Sequence, residues 1–179
     1  DSKSPYTYGH STRVALYANI LAERFSFSNA DKRCLRRAAL LHDLGKLGVS
    51  NSILDKPDRL DESEWRQVRL HPQYTEQILA RIQPFRRTAR IAGAHHERLD
   101  GKGYYKGLRA DEISLETRII TVSDIFDALH AERPYRAAMP IEKAMSILTE
   151  MSGTAVDAHV VDALRESLPE ITSTLDCGA

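Results

Sequence analysis

Five of the seven histidines in this chain stand in short polar motifs. His10 opens the run His10-Ser11-Thr12-Arg13-Val14, His42 is followed by Asp43 and then Gly45-Lys46, and His71 precedes Pro72. His95-His96 precede Glu97 and the segment Asp100-Gly101-Lys102-Gly103-Tyr104, and a further carboxylate, Asp124, lies in Val122-Ser123-Asp124-Ile125-Phe126-Asp127. Imidazole with carboxylate suits iron, manganese, zinc or nickel, and the lack of nearby thiolate argues against a zinc knuckle or an iron–sulfur cluster. Two divalent cations about 3.5–4 Å apart need a bridging carboxylate, and together they activate a water and neutralise a phosphoryl group. Asp43 is the natural bridge. His130 and His159 lack such a motif and are read as structural.

The elements that must position these residues are helices. From His10 to Phe25 the apolar residues Val14, Leu16, Tyr17, Ile20, Leu21 and Phe25 recur every three or four positions, the period of an amphipathic helix. Ser28 or Asn29 is the N-cap expected for a second helix reaching Leu41, with Gly45 and Gly48 as its stop. Val49 to Leu60 reads as loop or short turns, with an ambiguous alternation around Gly48 to Ile53. Asp61-Glu62-Ser63-Glu64 opens another helix, because acidic side chains favour the positive end of the helix dipole. His71-Pro72 breaks it and a new helix covers Gln73 to Arg81. Further helices are predicted over Phe85–Glu97, Glu116–His130, Ile141–Met151 and Asp157–Leu168, with a Gly-rich loop over Asp100–Gly107. On helices, His42 and Asp43 would point about 100° apart, and His95 and His96 likewise. The fold class is therefore all-α, a single helical-bundle domain over residues 1–179.

Composition excludes several functions. Lys+Arg and Asp+Glu are 25 each, for a formal charge of zero, which predicts neither a nucleic-acid coat nor a polybasic membrane anchor. Hydrophobic residues make up 42% and charged residues 28%, the proportions of a chain that folds rather than of a disordered one. The apolar stretches, such as Ala38 to Leu41, are far shorter than the roughly 20 residues of a membrane span. The two cysteines, Cys34 and Cys177, form no disulfide framework or zinc pattern, which points to the cytoplasm. The first residue is Asp and no signal segment follows, which reads as a domain excised from a longer regulatory protein.

His10, His42-Asp43 and Asp124 resemble the H…HD…D pattern of the HD phosphohydrolase superfamily. With His71-Pro72, His95-His96-Glu97, Asp100-Gly101-Lys102-Gly103-Tyr104 and Arg133-Pro134-Tyr135-Arg136, the motif set is similar to the HD-GYP branch, bacterial phosphodiesterases that open the cyclic dinucleotide c-di-GMP. The match runs from about residue 10 to 161. The resemblance implies an HD-domain helical bundle with the Gly-rich loop after the His-His motif, and as metal ligands His10, His42, Asp43, His71, His95, His96 and Asp124. One ion would take His10, His42, Asp43 and Asp124, the other Asp43, His71, His95 and His96. Both would be divalent, Fe or Mn first, with Ni or Zn also compatible, and the water they activate would be the nucleophile. Lys46 would neutralise the scissile phosphate, unless it is an exposed lysine after a helix. Arg133, Tyr135 and Arg136 would bind substrate through phosphate or guanine contacts and base stacking, the alternative being a Pro turn with solvated arginines.

Three positions depart from the family. Gly103-Tyr104-Tyr105 replaces Gly-Tyr-Pro, so the loop loses a φ-fixing proline and should be less constrained. Tyr6 stands where some members carry a Glu for a third metal, which favours two ions. Thr75 replaces a glycine after His-Pro, a change expected only to alter helix packing. The activity implied is hydrolysis of c-di-GMP to pGpG and/or GMP. The alternatives are cyclic GMP-AMP or another nucleotide as substrate, or a non-catalytic scaffold that binds c-di-GMP or contacts a diguanylate cyclase with a GGDEF domain. A homodimer stays open, and no nucleic-acid polymer or membrane is expected as partner. A third reading, in which the histidines are only hydrogen-bonded core residues, requires a separate partner for each buried polar ring.

Overall fold

The computed structural model describes residues 9–131 and 138–176. Within them the chain forms nine α-helices: α1 His10–Glu23, α2 Asn29–Leu41, α3 Asn51–Leu54, α4 Glu62–Val68, α5 His71–Ala80, α6 Arg86–Gly93, α7 Leu115–His130, α8 Ile141–Met151 and α9 Ala158–Asp176. Two isolated β-bridges, Asp100 with Arg109 and Ser152 with Val156, are the only extended pairing among these residues. No helix among them is long and apolar enough to cross a membrane.

Helix α1 is the central element, packed against α2, α7 and α9. It buries Val14, Tyr17, Ala18, Ile20 and Leu21, and Tyr17 meets Phe126 of α7 edge to face at 5.4 Å between ring centroids. Each of the branched aliphatic side chains among them, removed from water, contributes about 1.5–3 kcal/mol. α7 turns Ile119, Ile120, Val122 and Phe126 into the same core, and α8 adds Ala144, Met145 and Leu148. His130 stacks on Phe126 at 5.5 Å and its Nδ1 lies 2.9 Å from the Met139 carbonyl, a structural role, while His159 is exposed.

Side-chain capping explains four of the helix starts. Ser28 and Asp31 form a reciprocal capping box at α2, Asp61 and Glu64 do the same at α4, and Ser50 and Ser114 cap α3 and α7. The ambiguous stretch at Gly48 to Ile53 is thus a turn leading into the single-turn α3.

The stop after α2 and the ends of α6 and α9 differ from the sequence reading, and α5 starts at His71, two residues before the expected Gln73. α2 stops at Leu41, before either glycine, and Leu44–Gly48 continues as a 3-10 turn closed by Lys46 N–H to Asp43 O and Val49 N–H to Lys46 O, both 3.0 Å. Gly45 and Gly48 keep ordinary negative φ and end nothing. α6 covers only Arg86–Gly93, so His95 and His96 follow the helix on a tight turn in which Glu97 N–H reaches the Ala94 carbonyl at 2.9 Å. α9 runs through Pro169 to Asp176, because an apolar stripe that includes Val160, Leu164 and the buried Ile171 outweighs the roughly 3 kcal/mol cost of an interior proline.

Candidate metal centre

Three helix ends each hold one imidazole in the same way. His42 follows α2, His71 lies three residues beyond the end of α4, and His95 lies two beyond α6. In each ring Nδ1–H donates to the carbonyl three residues earlier: Ala39 at 2.7 Å, Val68 at 2.6 Å and Ala92 at 2.6 Å. The last carbonyls of a helix lack intrahelical partners, so these bonds satisfy the helix end and orient the ring together. A carbonyl can only accept, which fixes the proton on Nδ1 and leaves Nε2 with a free lone pair facing the centre.

His10 begins α1, and its ring is held by carboxylates instead. Its Nδ1 meets Asp127 Oδ2 at 2.7 Å and its Nε2 lies 3.2 Å from Asp124 Oδ1. The carboxylate of Asp43, on the turn after His42, divides between two groups. Oδ1 lies 3.3 Å from His71 Nε2 and 4.0 Å from His95 Nε2, while Oδ2 lies 3.5 Å from His42 Nε2 and 3.9 Å from His10 Nε2. Ligand atoms of His10, His42 and Asp124 fall within 4.8 Å of one another, and so do those of His71, His95 and His96. All seven residues expected as ligands are therefore brought to one place. The His95 and His96 rings do not diverge as a helix would make them; off the helix their centroids are 4.0 Å apart and both face the centre. Lys46 reaches Asp43 Oδ2 at 2.5 Å from the following turn and is partly exposed. Tyr6, Arg133, Tyr135 and Arg136 lie outside the described residues.

The electrostatics follow from this packing. Burial, with the charge of His96 adding to it, pushes His95 well below the usual histidine range, and burial holds His71 down to about 4 and lowers His96. Burial also acts to lower His10, but its bonds to Asp124 and Asp127 and the charge of Asp43 outweigh it and raise that imidazole to about 9. Burial opposes ionisation of both central carboxylates, yet both are held well below their ordinary range. Lys46, His42 and His71 do this for Asp43, and the bond from His10 with the charges of His42 and His96 does it for Asp124.

Two features of this cluster fit a divalent cation. The Nε2 atoms of His71 and His95 face each other at 3.3 Å although both rings are neutral and both Nδ1 atoms are the protonated ones. Two lone pairs gain nothing from each other, whereas a cation about 2.1 Å from each would satisfy both. His42 Nε2 is buried with no hydrogen-bond partner among the described residues, a state that costs about 1–3 kcal/mol if nothing fills it.

The supporting residues were partly missed by the sequence reading. Asp127, almost fully buried, takes His10 on Oδ2 and Arg13 on both oxygens, with Arg13 Nε at 2.7 Å from Oδ1 and Nη2 at 3.0 Å from Oδ2. The signal was present as paired i,i+3 spacings, His10 with Arg13 and Asp124 with Asp127, which put each pair on one helix face. Thr75 does more than alter packing. Its buried hydroxyl accepts from Gly45 N–H at 2.8 Å and donates to the His42 carbonyl at 2.9 Å, fastening α5 to the His42–Gly45 turn. The Gly103-Tyr104-Tyr105 loop is also held without its proline. The buried Glu97 carboxylate accepts from Lys106 N–H at 2.7 Å and Leu108 N–H at 2.9 Å, and the Tyr105 hydroxyl donates to Glu76 at 2.7 Å.

Asp127 replaces for His10 the carbonyl that the other rings use, so Asp127→Ala is expected to weaken metal binding about 10- to 100-fold, as loss of a partner behind a metal-binding histidine does. Metal-competition titrations check this; an affinity unchanged from the native chain contradicts the assigned role.

The chain belongs to the HD domain family, which matches it over residues 1–160. It is 62% identical over 168 residues, 94% of this chain and 36% of the relative, to the 3'3'-cGAMP-specific phosphodiesterase 3 of Vibrio cholerae serotype O1. It is 39% identical over 154 residues, 85% of this chain and 41% of the relative, to the cyclic di-GMP phosphodiesterase response regulator RpfG of Xanthomonas campestris pv. campestris. Among solved structures, the cyclic GMP-AMP-specific phosphodiesterase V-cGAP3 of V. cholerae superposes with a TM-score of 0.59 at 58% identity, covering 94% of this chain and 38% of that one. The chain thus spans well under half the length of these relatives.

Proposed function

We propose that this chain is a metal-dependent phosphodiesterase that hydrolyses a cyclic dinucleotide, with 3'3'-cGAMP as the preferred substrate. The observation that carries the reading is the division of the Asp43 carboxylate, one oxygen toward His71 and His95 and the other toward His42 and His10. A carboxylate so placed suits two adjacent cations, one held with His10, His42 and Asp124, the other with His71, His95 and His96. Fe(II) or Mn(II) is the first choice for these donors, and Ni or Zn is compatible with them. Bound divalent cations would supply an activated water and charge neutralisation on the phosphate oxygens.

The protein's own part is positional and electrostatic. The Nδ1–carbonyl bonds keep three imidazoles aimed and unprotonated at Nε2, Asp127 orients the His10 ring through Nδ1, and Lys46 offers a partly exposed ammonium beside Asp43 for charge developing on phosphate. Hydrolysis breaks one P–O ester bond, the water oxygen joining phosphorus and the leaving ribose oxygen taking a proton. A linear dinucleotide with one terminal phosphate results. The 62%-identical relative moves the substrate choice from c-di-GMP, the first expectation of the sequence, to 3'3'-cGAMP. c-di-GMP stays as the second reading because RpfG is named for it. Arg133, Tyr135 and Arg136 are assigned to substrate by the family resemblance alone.

Anaerobic reconstitution with Fe(II) or Mn(II), incubation with each dinucleotide and separation of products by HPLC tests the reading. Linear product from 3'3'-cGAMP is expected, with kcat/KM about tenfold or more above that for c-di-GMP, the discrimination available from one differing base edge. A chain with both metals bound that leaves every cyclic dinucleotide intact overturns it.

A further inference from the structure

Three side chains beside the metal cluster lie outside the hydrophobic core. Trp65, the chain's single tryptophan, is 46% exposed on α4, a helix that buries none of its side chains. Arg69, one helical turn on, is exposed, and its guanidinium makes no hydrogen bond or ion pair among the described residues. Tyr104 lays its ring against His96 at 4.8 Å between centroids, tilted by 31°. These groups are in register. Arg69 Cζ stands over the Tyr104 ring at 5.7 Å and over the Trp65 ring at 6.0 Å, so a file of planar groups leads from His96 outward through Tyr104 and Arg69 to Trp65.

A large apolar ring left half in water and a guanidinium without a carboxylate are surfaces that a ligand would complete. Guanidinium and indole planes both stack on nucleobases, and stacking tolerates any base because every base has a π face. From these groups we propose that Trp65 and Arg69 form a stacking platform for one purine base of the cyclic dinucleotide, placed beside the His96 edge of the metal centre. The platform rests on the functional reading above and adds to it a place where a base sits. α4 suits the task because none of its side chains is committed to the core, and because the His71–Val68 hydrogen bond ties the end of the helix to the metal cluster.

The test uses the metal-loaded chain and 3'3'-cGAMP. Stopped-flow mixing should quench Trp65 fluorescence saturably before product forms. Arg69→Ala and Trp65→Ala should each raise KM about 5- to 150-fold, the range for losing one base-stacking partner, with a much smaller change in kcat. Arg69→Lys, which keeps the charge but not the plane, should recover less than half of that loss. Arg165→Ala, which removes only the bonds to the exposed Asp162 and to Thr149 on α8, should leave KM as in the native chain. KM within twofold of native in both platform variants, or a silent Trp65 in a chain that turns the dinucleotide over, would overturn the platform while leaving the phosphodiesterase standing. Full rescue by lysine would overturn stacking. A chain that neither quenches nor hydrolyses any cyclic dinucleotide would overturn both readings.

Discussion

Replacing Asp43 with alanine will abolish hydrolysis of the dinucleotide, by about 10³-fold or more, and will remove metal from the protein as well. The size of the effect follows from the number of jobs on one side chain. Its two oxygens face two different groups of imidazoles, and Oδ2 also holds the Lys46 ammonium at 2.5 Å. Without the carboxylate the cluster keeps a single acidic residue, Asp124, and loses the group common to both sets of donors. Two cations at close range would then repel each other with one negative charge fewer between them. Elemental analysis of the purified variant should show loss of at least one metal per chain, and HPLC should show the substrate intact, with far-UV circular dichroism close to native. Asp43→Asn, which keeps one acceptor oxygen and loses the charge, should fall nearer to alanine than to the native chain. A variant that retains both metals and more than a tenth of native activity would remove Asp43 from the bridging position.

Gly45→Ala carries the second large effect, and it arises from packing alone. A Cβ built on Gly45 would stand 1.9 Å from the His71 carbonyl oxygen and 2.6 Å from the Thr75 nitrogen. Both neighbours are backbone atoms of α5, which cannot swing aside as a side-chain tip can, so the helix itself must move. We expect a loss of about 3 kcal/mol or more, seen as a fall in Tm of roughly 6–12 °C for a chain this size. Because α5 begins with His71, the displacement also draws that ring from the centre and lowers metal content. Gly153→Ala is the control. Gly153 has φ +75° with open space around it, so alanine there meets only the left-handed backbone penalty of about 1–2 kcal/mol. Equal destabilisation by the two substitutions would show that the Gly45 contact is absent.

Both predictions rest on a site whose ligand types were legible in the chain. His10, His42-Asp43, His71, His95-His96 and Asp124 announce imidazole–carboxylate chemistry because few side chains have lone pairs suited to such cations, and helical spacing alone identified most of the helices that carry them. Capping chemistry is equally local, and Ser28 and the acidic run at Asp61 were readable for that reason. Two helix ends without a cap signal were not. α6 releases its chain at Gly93 and α9 continues past Pro169, because there the outcome depends on what each residue packs against.

The sequence by itself determined which atoms could bind and roughly which helices bear them. Only the tertiary structure decided how those atoms are aimed. The bond from Asp127 to His10 joins residues 117 apart, and the Thr75 hydroxyl joins α5 to a turn more than thirty residues earlier. The halves of the Asp43 carboxylate acquire different neighbours only after α1, α2, α5 and the turn behind α6 have converged. The physical reason is that donor chemistry belongs to a residue and travels with its name, whereas direction, burial and pairing are properties of several segments at once. They exist only when packing has excluded water and fixed the distances between those segments.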